Sequence, residues 1–189
     1  MAAKHNRIRS LLAAFLVAWI CHGNANADTF VLLVSVGRYH SPQVPALDSA
    51  PNDLALWQDI LSAHGVDTRH LRILSDQDAT RANVTDALRM FEEKVKPSDT
   101  VFLAFSCHGT LVADRFTVPE RGIIAGHGDG MDNQALVLYD SDPFGNPLSC
   151  LVDQEIGFHL RKIRTTRKIV LIDSCYATGA ERDRVPSWA

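Results

Sequence analysis

The sequence predicts an α/β fold in which a mostly parallel sheet is covered by helices on both faces. Two observations lead to this prediction. Strand-like segments alternate with amphipathic helices along the chain, and two apolar runs, 101–106 and 168–173, end abruptly in small or reactive residues. A continuous apolar run bounded by turn signals is typical of a strand buried on both faces of a parallel sheet. Alternating strands and helices favour right-handed crossovers within one layered domain.

The first half of the chain supplies most of the regular pattern. The β-branched and apolar run 30–36 predicts a strand, and a proline-rich loop follows at 37–51. Apolar residues recur at helical spacing over 52–64, and Gly65 supplies a stop signal. A short strand at 71–74 precedes a second helix, which begins at Thr80 or Asn83, continues through Val95 and ends before Pro97.

The second half is less regular between its two long strands. Residues 110–152 are rich in Gly and Asp, with one short strand expected at 135–139. A third helix is expected over 153–164, ahead of the strand at 168–173. Because the pattern contains no repeat and no linker, we expect one domain over 28–189.

The first 27 residues have the three parts of a secretory signal peptide. Basic residues at the start are followed by the apolar stretch 11–20, and Ala25-Asn26-Ala27 offers a cleavage site. The apolar stretch is too short to span a bilayer, although an uncleaved membrane anchor is the alternative. We therefore expect export to the periplasm or the exterior, with no membrane attachment after cleavage.

Charge and cysteine content narrow the possible partners. The formal net charge is −3 at pH 7, without a basic patch, so nothing in the sequence indicates nucleic acid binding. The region after the signal peptide contains Cys107, Cys150 and Cys175. An odd number of cysteines argues against a disulfide framework and for at least one free thiol.

A histidine and a cysteine follow the two long apolar strands. His108 lies just beyond 101–106, and Cys175 just beyond 168–173. Active sites of open α/β sheets lie at the carboxyl ends of parallel strands, so both side chains are expected at one rim. There an imidazole could deprotonate a thiol. The alternative is a buried structural cysteine beside a strand-end histidine.

Four segments resemble those of caspase-like cysteine peptidases, most closely of the metacaspase and bacterial branch. In chain order they are Leu-Asp-Ser-Ala-Pro-Asn-Asp at 47–53, Phe-Ser-Cys-His-Gly at 105–109, Tyr-Asp-Ser-Asp-Pro at 139–143 and Asp-Ser-Cys-Tyr-Ala-Thr-Gly at 173–179. The resemblance covers about 29–180. It implies the caspase-like three-layer sandwich, of which this chain carries the large-subunit (p20-like) part.

The resemblance implies a cysteine endopeptidase that acts on protein or peptide substrates and requires no cofactor. Cys175 would be the nucleophile, and His108 would take its proton and later donate to the leaving amine. The backbone amides of Gly109 and Cys175 would stabilise the oxyanion.

The resemblance also implies that Asp53, Ser106 and Asp173 line the pocket for the residue before the scissile bond. Because carboxylates pair well with a guanidinium or an ammonium group, such a pocket would select Arg or Lys. The alternatives are that Asp173 caps loop amides and that Asp53 complements the dipole of its helix.

The chain departs from the family pattern in two ways. Cys107 stands where the family has a glycine before the histidine. Caspase-like folds also continue after the cysteine strand with two further strands, which the printed sequence lacks. We therefore expect the strand from Lys168 to Asp173 to be an exposed apolar edge, prone to self-association or to pairing with a C-terminal caspase-like segment.

Two further sites are possible on sequence grounds. Asp129, Asp132, Asp140 and Asp142 form an acidic cluster in a region comparable to one where some metacaspases bind calcium, although a solvated turn is favoured. Cys107 and Cys175 are expected near each other at one rim. Two unpaired thiols are the favoured arrangement there, and the alternative is a disulfide, which would silence the nucleophile.

Two other functions remain open. A catalytically silent caspase-like domain could serve as an interaction module. A flavodoxin-like binding protein also fits the alternation of strands and helices, but the first strand is not followed by a Gly-rich phosphate loop.

Overall fold

The computed structural model describes residues 27–113 and 133–174, which form the predicted α/β layers. The elements in chain order are β1 (Thr29–Ser35), α1 (Ala50–Ala63), β2 (Leu71–Ser75), α2 (Arg81–Lys94), β3 (Thr100–Ser106), β4 (His108–Val112), β5 (Asn133–Val137), β6 (Leu151–Val152), α3 (Asp153–Lys162) and β7 (Arg167–Asp173). Single turns of 3-10 helix lie at Thr68–His70, Asp76–Asp78 and Pro147–Ser149.

Four strands form the central sheet in the order β2-β1-β3-β7. Each neighbouring pair is parallel, as the sequence predicts. The strands that precede His108 and Cys175 are therefore direct neighbours, with Ser106 in register with Asp173.

A second, antiparallel sheet of β4, β5 and β6 follows the carboxyl end of β3. The sequence indicated β5 but missed β4 and β6. β4 carries Gly109 at its second position and β6 has two residues, so neither shows a periodic pattern. His108 is itself the first residue of β4.

The central sheet is covered on both faces, which confirms the three-layer arrangement. Side chains alternate along β1, so that Leu32 and Val34 face one core and Val31 and Leu33 face the other. The first core includes apolar residues of α2 and α3, and the second packs against α1.

The helix ends follow local chemistry. Pro51 lies in the first turn of α1, where its fixed φ and missing N–H are tolerated. Gly65, with φ of 66°, follows the end of that helix. The Thr80 side chain accepts a hydrogen bond from the Asn83 amide at the start of α2.

β7 borders the sheet on one side. It pairs with β3, and no other strand of residues 27–113 and 133–174 pairs with it. Its residues are half-buried or exposed, and Ile172 is 38% exposed. Within the same residues no helix is long and apolar enough to cross a bilayer. The predicted signal peptide lies almost wholly outside the described residues and stays a prediction.

Candidate active site

Three strand ends lie level with one another at the rim of the central sheet. Ser35 of β1 is in register with Ser106 of β3, which is in register with Asp173 of β7. The ladder continues one step further, because the Cys107 amide donates to the Asp173 carbonyl at 3.4 Å. This rim is where the sequence places the reactive residues.

The loop between β1 and α1 closes over this rim. The Leu47 amide donates to the Gly37 carbonyl at 2.9 Å. Asp76 Oδ1 accepts from the amides of Gly37 and Arg38 at 2.8 and 2.9 Å. A Cβ at Gly37 would lie 3.2 Å from both the Leu47 carbonyl oxygen and the Pro51 ring, so close approach favours glycine here.

His108 is held by this loop. Its Nε2 lies 3.0 Å from the Pro45 carbonyl oxygen. A carbonyl can only accept, so Nε2 carries the hydrogen and the lone pair lies on Nδ1. Burial lowers the pKa of His108, and the Pro45 carbonyl opposes that shift. The ring is therefore neutral at neutral pH.

Tyr39, on the same loop, contacts His108 in two ways that the sequence did not reveal. The phenol oxygen accepts a hydrogen bond from the His108 amide at 2.8 Å. The two rings are stacked, with centroids 5.3 Å apart and planes at 24°. A lone tyrosine in a proline-rich loop carries no periodic signal, so sequence reasoning passed over it.

Two of the three predicted pocket residues touch. The Ser106 hydroxyl donates to Asp53 Oδ2 at 2.9 Å, which joins β3 to the first turn of α1. Asp173 is exposed and, together with Asp53 and Ser106, lines a cavity of about 420 Å³. The apolar wall of this cavity includes Leu54, Trp57 and Leu171. The cavity therefore combines two carboxylates with an apolar surface.

The remaining predicted residues are only partly described. Gly109 is buried in β4 and in register with Leu136 of β5. Cys175 lies outside the described residues, two positions after Asp173. Its role as nucleophile stays a prediction.

Cys107 is a buried thiol behind the rim. It is 1% exposed, and burial raises its pKa to about 12. Cys107 and Cys150 are free cysteines in the described parts of the chain. Cys107 is thus a free thiol here, and the disulfide with Cys175 that the sequence left open as the less favoured alternative is not formed at Cys107.

The structure describes two of the four aspartates of the acidic cluster, Asp140 and Asp142. Asp140 accepts from the Arg81 amide at 2.9 Å, and Asp142 accepts from the Gly145 amide at 2.9 Å. Asp129 and Asp132 lie outside the described residues. Within 27–113 and 133–174, no group of three His, Cys, Asp or Glu side chains is arranged to hold a metal ion.

Comparison with known families identifies the class of protein. The caspase-domain model of peptidase family C14 matches residues 28–187. The chain therefore belongs to the caspase-domain family, whose members are in general cysteine peptidases. No curated protein matches the sequence.

A solved structure shares the fold. A Geobacter sulfurreducens protein from a structural genomics programme superposes with a TM-score of 0.58 at 23% identity. The match covers 79% of this chain and 51% of the other, so this chain spans about half the length of that protein. The likeness supports the caspase-like fold.

Proposed function

We propose that this protein is a cysteine endopeptidase with a Cys175/His108 dyad that cleaves after Arg or Lys. The observation that carries the proposal is the arrangement at the rim. His108, held by the Pro45 carbonyl with a lowered pKa, follows β3 two residues after Ser106, and Ser106 lines a cavity together with Asp53 and Asp173. In the sequence, Cys175 follows β7 two residues beyond Asp173.

The proposed specificity follows from the charges of the cavity. Asp53 and Asp173 supply two carboxylates, and the Ser106 hydroxyl orients the first of them. The apolar wall, which includes Trp57, suits the methylene stem of a long basic side chain. An acidic side chain at the same position would meet like charges.

In the proposed mechanism His108 Nδ1 takes the thiol proton of Cys175, and the sulfur attacks the scissile carbonyl carbon. The negative charge on the carbonyl oxygen is stabilised by the amides of Gly109 and Cys175. Collapse of the tetrahedral intermediate breaks the C–N bond, and His108 gives its proton to the leaving amine. Water then hydrolyses the thioester and regenerates the thiol.

Peptide cleavage tests the proposal. The protein without its first 27 residues, supplied with a C-terminal caspase-like segment, is assayed on peptides that differ only in having Arg, Lys or Asp before the scissile bond. We expect cleavage after Arg and Lys, no cleavage after Asp, and none with Cys175→Ala. Cys150→Ala is the matched control, since it removes a different thiol, one that is buried.

Retained turnover in Cys175→Ala would contradict the dyad, and cleavage after Asp would contradict the pocket. If the wild-type protein cleaves none of the peptides but binds a protein partner, a silent interaction module replaces the enzyme as the better account.

Location and partners complete the proposal. We propose that the protein is exported by the signal peptide 1–27. We also propose that the β7 edge pairs with a C-terminal caspase-like segment or with a second copy of the chain. Intact-mass measurement of the secreted protein checks the cleavage after Ala27.

A further inference from the structure

We propose that Tyr39 is a positioning residue that fixes both the backbone and the ring of His108. The inference rests on the proposed function, because it assigns His108 the role of base. It adds a residue that acts through His108 and does not itself touch the substrate.

The hydroxyl of Tyr39 satisfies an amide at a break between the two sheets. β3 ends at Ser106 in the parallel sheet, and β4 begins at His108 in the antiparallel one. The His108 amide donates across this junction to the Tyr39 oxygen at 2.8 Å. A half-buried amide without an acceptor is costly, so the phenol fixes the point at which the chain changes sheets.

The ring of Tyr39 restricts the imidazole. Stacking at a centroid distance of 5.3 Å limits rotation of the His108 ring, whose Nε2 is held by the Pro45 carbonyl. Together these two contacts determine the plane of the ring and the nitrogen that carries the hydrogen. When His108 takes a proton, the tyrosine face also favours the imidazolium.

Tyr39 is itself well held. Burial raises the pKa of its phenol, so the hydroxyl stays neutral. Asp76 holds the amides of Gly37 and Arg38, just ahead of Tyr39. Asp76 has a φ of 42°, a left-handed conformation that few non-glycine residues adopt. On the other side, the His40 amide donates to the Tyr139 carbonyl at 3.0 Å.

Two variants separate the hydroxyl from the ring. Tyr39→Phe keeps the stacked ring and removes the acceptor, whereas Tyr39→Leu removes both. Tyr139→Phe is the matched control, because Tyr139, like Tyr39, packs against the first core. Amide hydrogen exchange, NMR shifts of the His108 ring protons, and kcat and KM on an Arg peptide are measured for each.

With Tyr39→Phe we expect exchange at the His108 amide to become about 2- to 10-fold faster, while the amide of Leu103 in β3 is unchanged. We expect kcat to fall by about 10-fold at an almost unchanged KM, because the base is misplaced. The ring-current shift of the His108 protons persists in Tyr39→Phe and is lost in Tyr39→Leu. Tyr139→Phe leaves all three readouts unchanged.

The inference would be overturned if Tyr39→Phe left the hydrogen-exchange rate of the His108 amide, or kcat, at the wild-type value. Tyr39→Phe keeps the packed ring, so the test stands even where Tyr39→Leu does not fold. A wild-type protein that cleaves nothing overturns the proposed function alone. The exchange rate and the ring-current shift still decide whether Tyr39 holds His108.

Discussion

Burial lowers the reactivity of two cysteines of this chain, Cys107 and Cys150. The thiolate is the reactive form of cysteine, and burial in an apolar environment disfavours it. Burial raises the pKa of Cys107 to about 12 and that of Cys150 to about 11. With a pKa of about 12, roughly 1 thiol in 10⁵ is ionised at pH 7. Proximity to His108 in sequence therefore does not make Cys107 reactive.

Alkylation of the native protein checks this difference. At neutral pH we expect iodoacetamide to modify Cys175 and to leave Cys107 and Cys150 unmodified until the protein is unfolded. Peptide mapping by mass spectrometry gives the extent at each position. Modification of native Cys107 at the rate of Cys175 would show that the rim is open to solvent behind the strand.

The carboxylate of Asp173 gives a direct test of the pocket. Asp173→Asn removes one of the two charges that would pair with a basic side chain. We expect kcat/KM for Arg peptides to fall by about 10-fold or more, because an ion pair becomes a hydrogen bond from the guanidinium to a neutral amide. Asp86→Asn is the control, because Asp86 pairs with Arg89 on the exposed face of α2. Equal effects of the two variants would contradict the pocket.

An ion pair joins helices α2 and α3. Arg81 Nη2 contacts Glu155 Oε2, and the Glu155 side chain is 3% exposed. A second nitrogen of Arg81 donates to the Leu148 carbonyl at 2.8 Å. Removing one partner of such a pair leaves an uncompensated buried charge, which is far costlier than losing an exposed pair.

Alanine variants of two arginines of α2 allow the cost of losing the buried pair to be compared with the cost of losing the exposed pair. We expect Arg81→Ala to lower the free energy of unfolding by about 3 kcal/mol or more. Arg89→Ala should lower it by less than about 1 kcal/mol, because Arg89 and Asp86 are both exposed. Urea unfolding followed by circular dichroism measures both. A similar loss in the two variants would mean that Glu155 finds another partner.

The regular elements were predictable because each carries its own signal. Apolar runs predicted β1, β3 and β7, and helical spacing predicted α1 and α2. The predicted bounds lie within about two residues of those observed. β4 and β6 were missed because their pairing across the second sheet, and not their own sequence, defines them.

The candidate site was predictable where it depends on strand ends. Ser106 and Asp173 meet because β3 and β7 pair in register. The contacts that hold His108 were not predictable. They come from Pro45 and Tyr39 on the loop between β1 and α1. The path of this loop depends on Gly37, Asp76 and Leu47, and a loop path leaves no periodic pattern in the sequence.

The molecule as a whole has an unpaired sheet edge in its described part. β7 leaves one side unpaired there, and it contains four consecutive apolar residues, 169–172. Free N–H and C=O groups on an apolar edge recruit other strands. We therefore expect the protein of residues 28–189, expressed alone, to self-associate and to have little or no peptidase activity.

Sedimentation velocity measures the association. Ile172→Lys places a charge on the edge and should reduce it. Phe144→Lys is the control, since Phe144 is similarly exposed but lies in a loop. Addition of a C-terminal caspase-like segment should restore solubility first and activity second. A monomeric and fully active 28–189 protein would contradict the expectation.

The level strand ends have a consequence for how such a protein can change over time. Ser35, Ser106 and Asp173 end strands whose interior residues form the two cores. Ser35 and Ser106 are buried, whereas Asp173 is exposed. In the proposed pocket, exchange of the exposed side chain at position 173 would alter the charge offered to a substrate without disturbing the layers beneath. Under the proposed function, selection at this position would change which peptides are recognised almost independently of whether the chain folds.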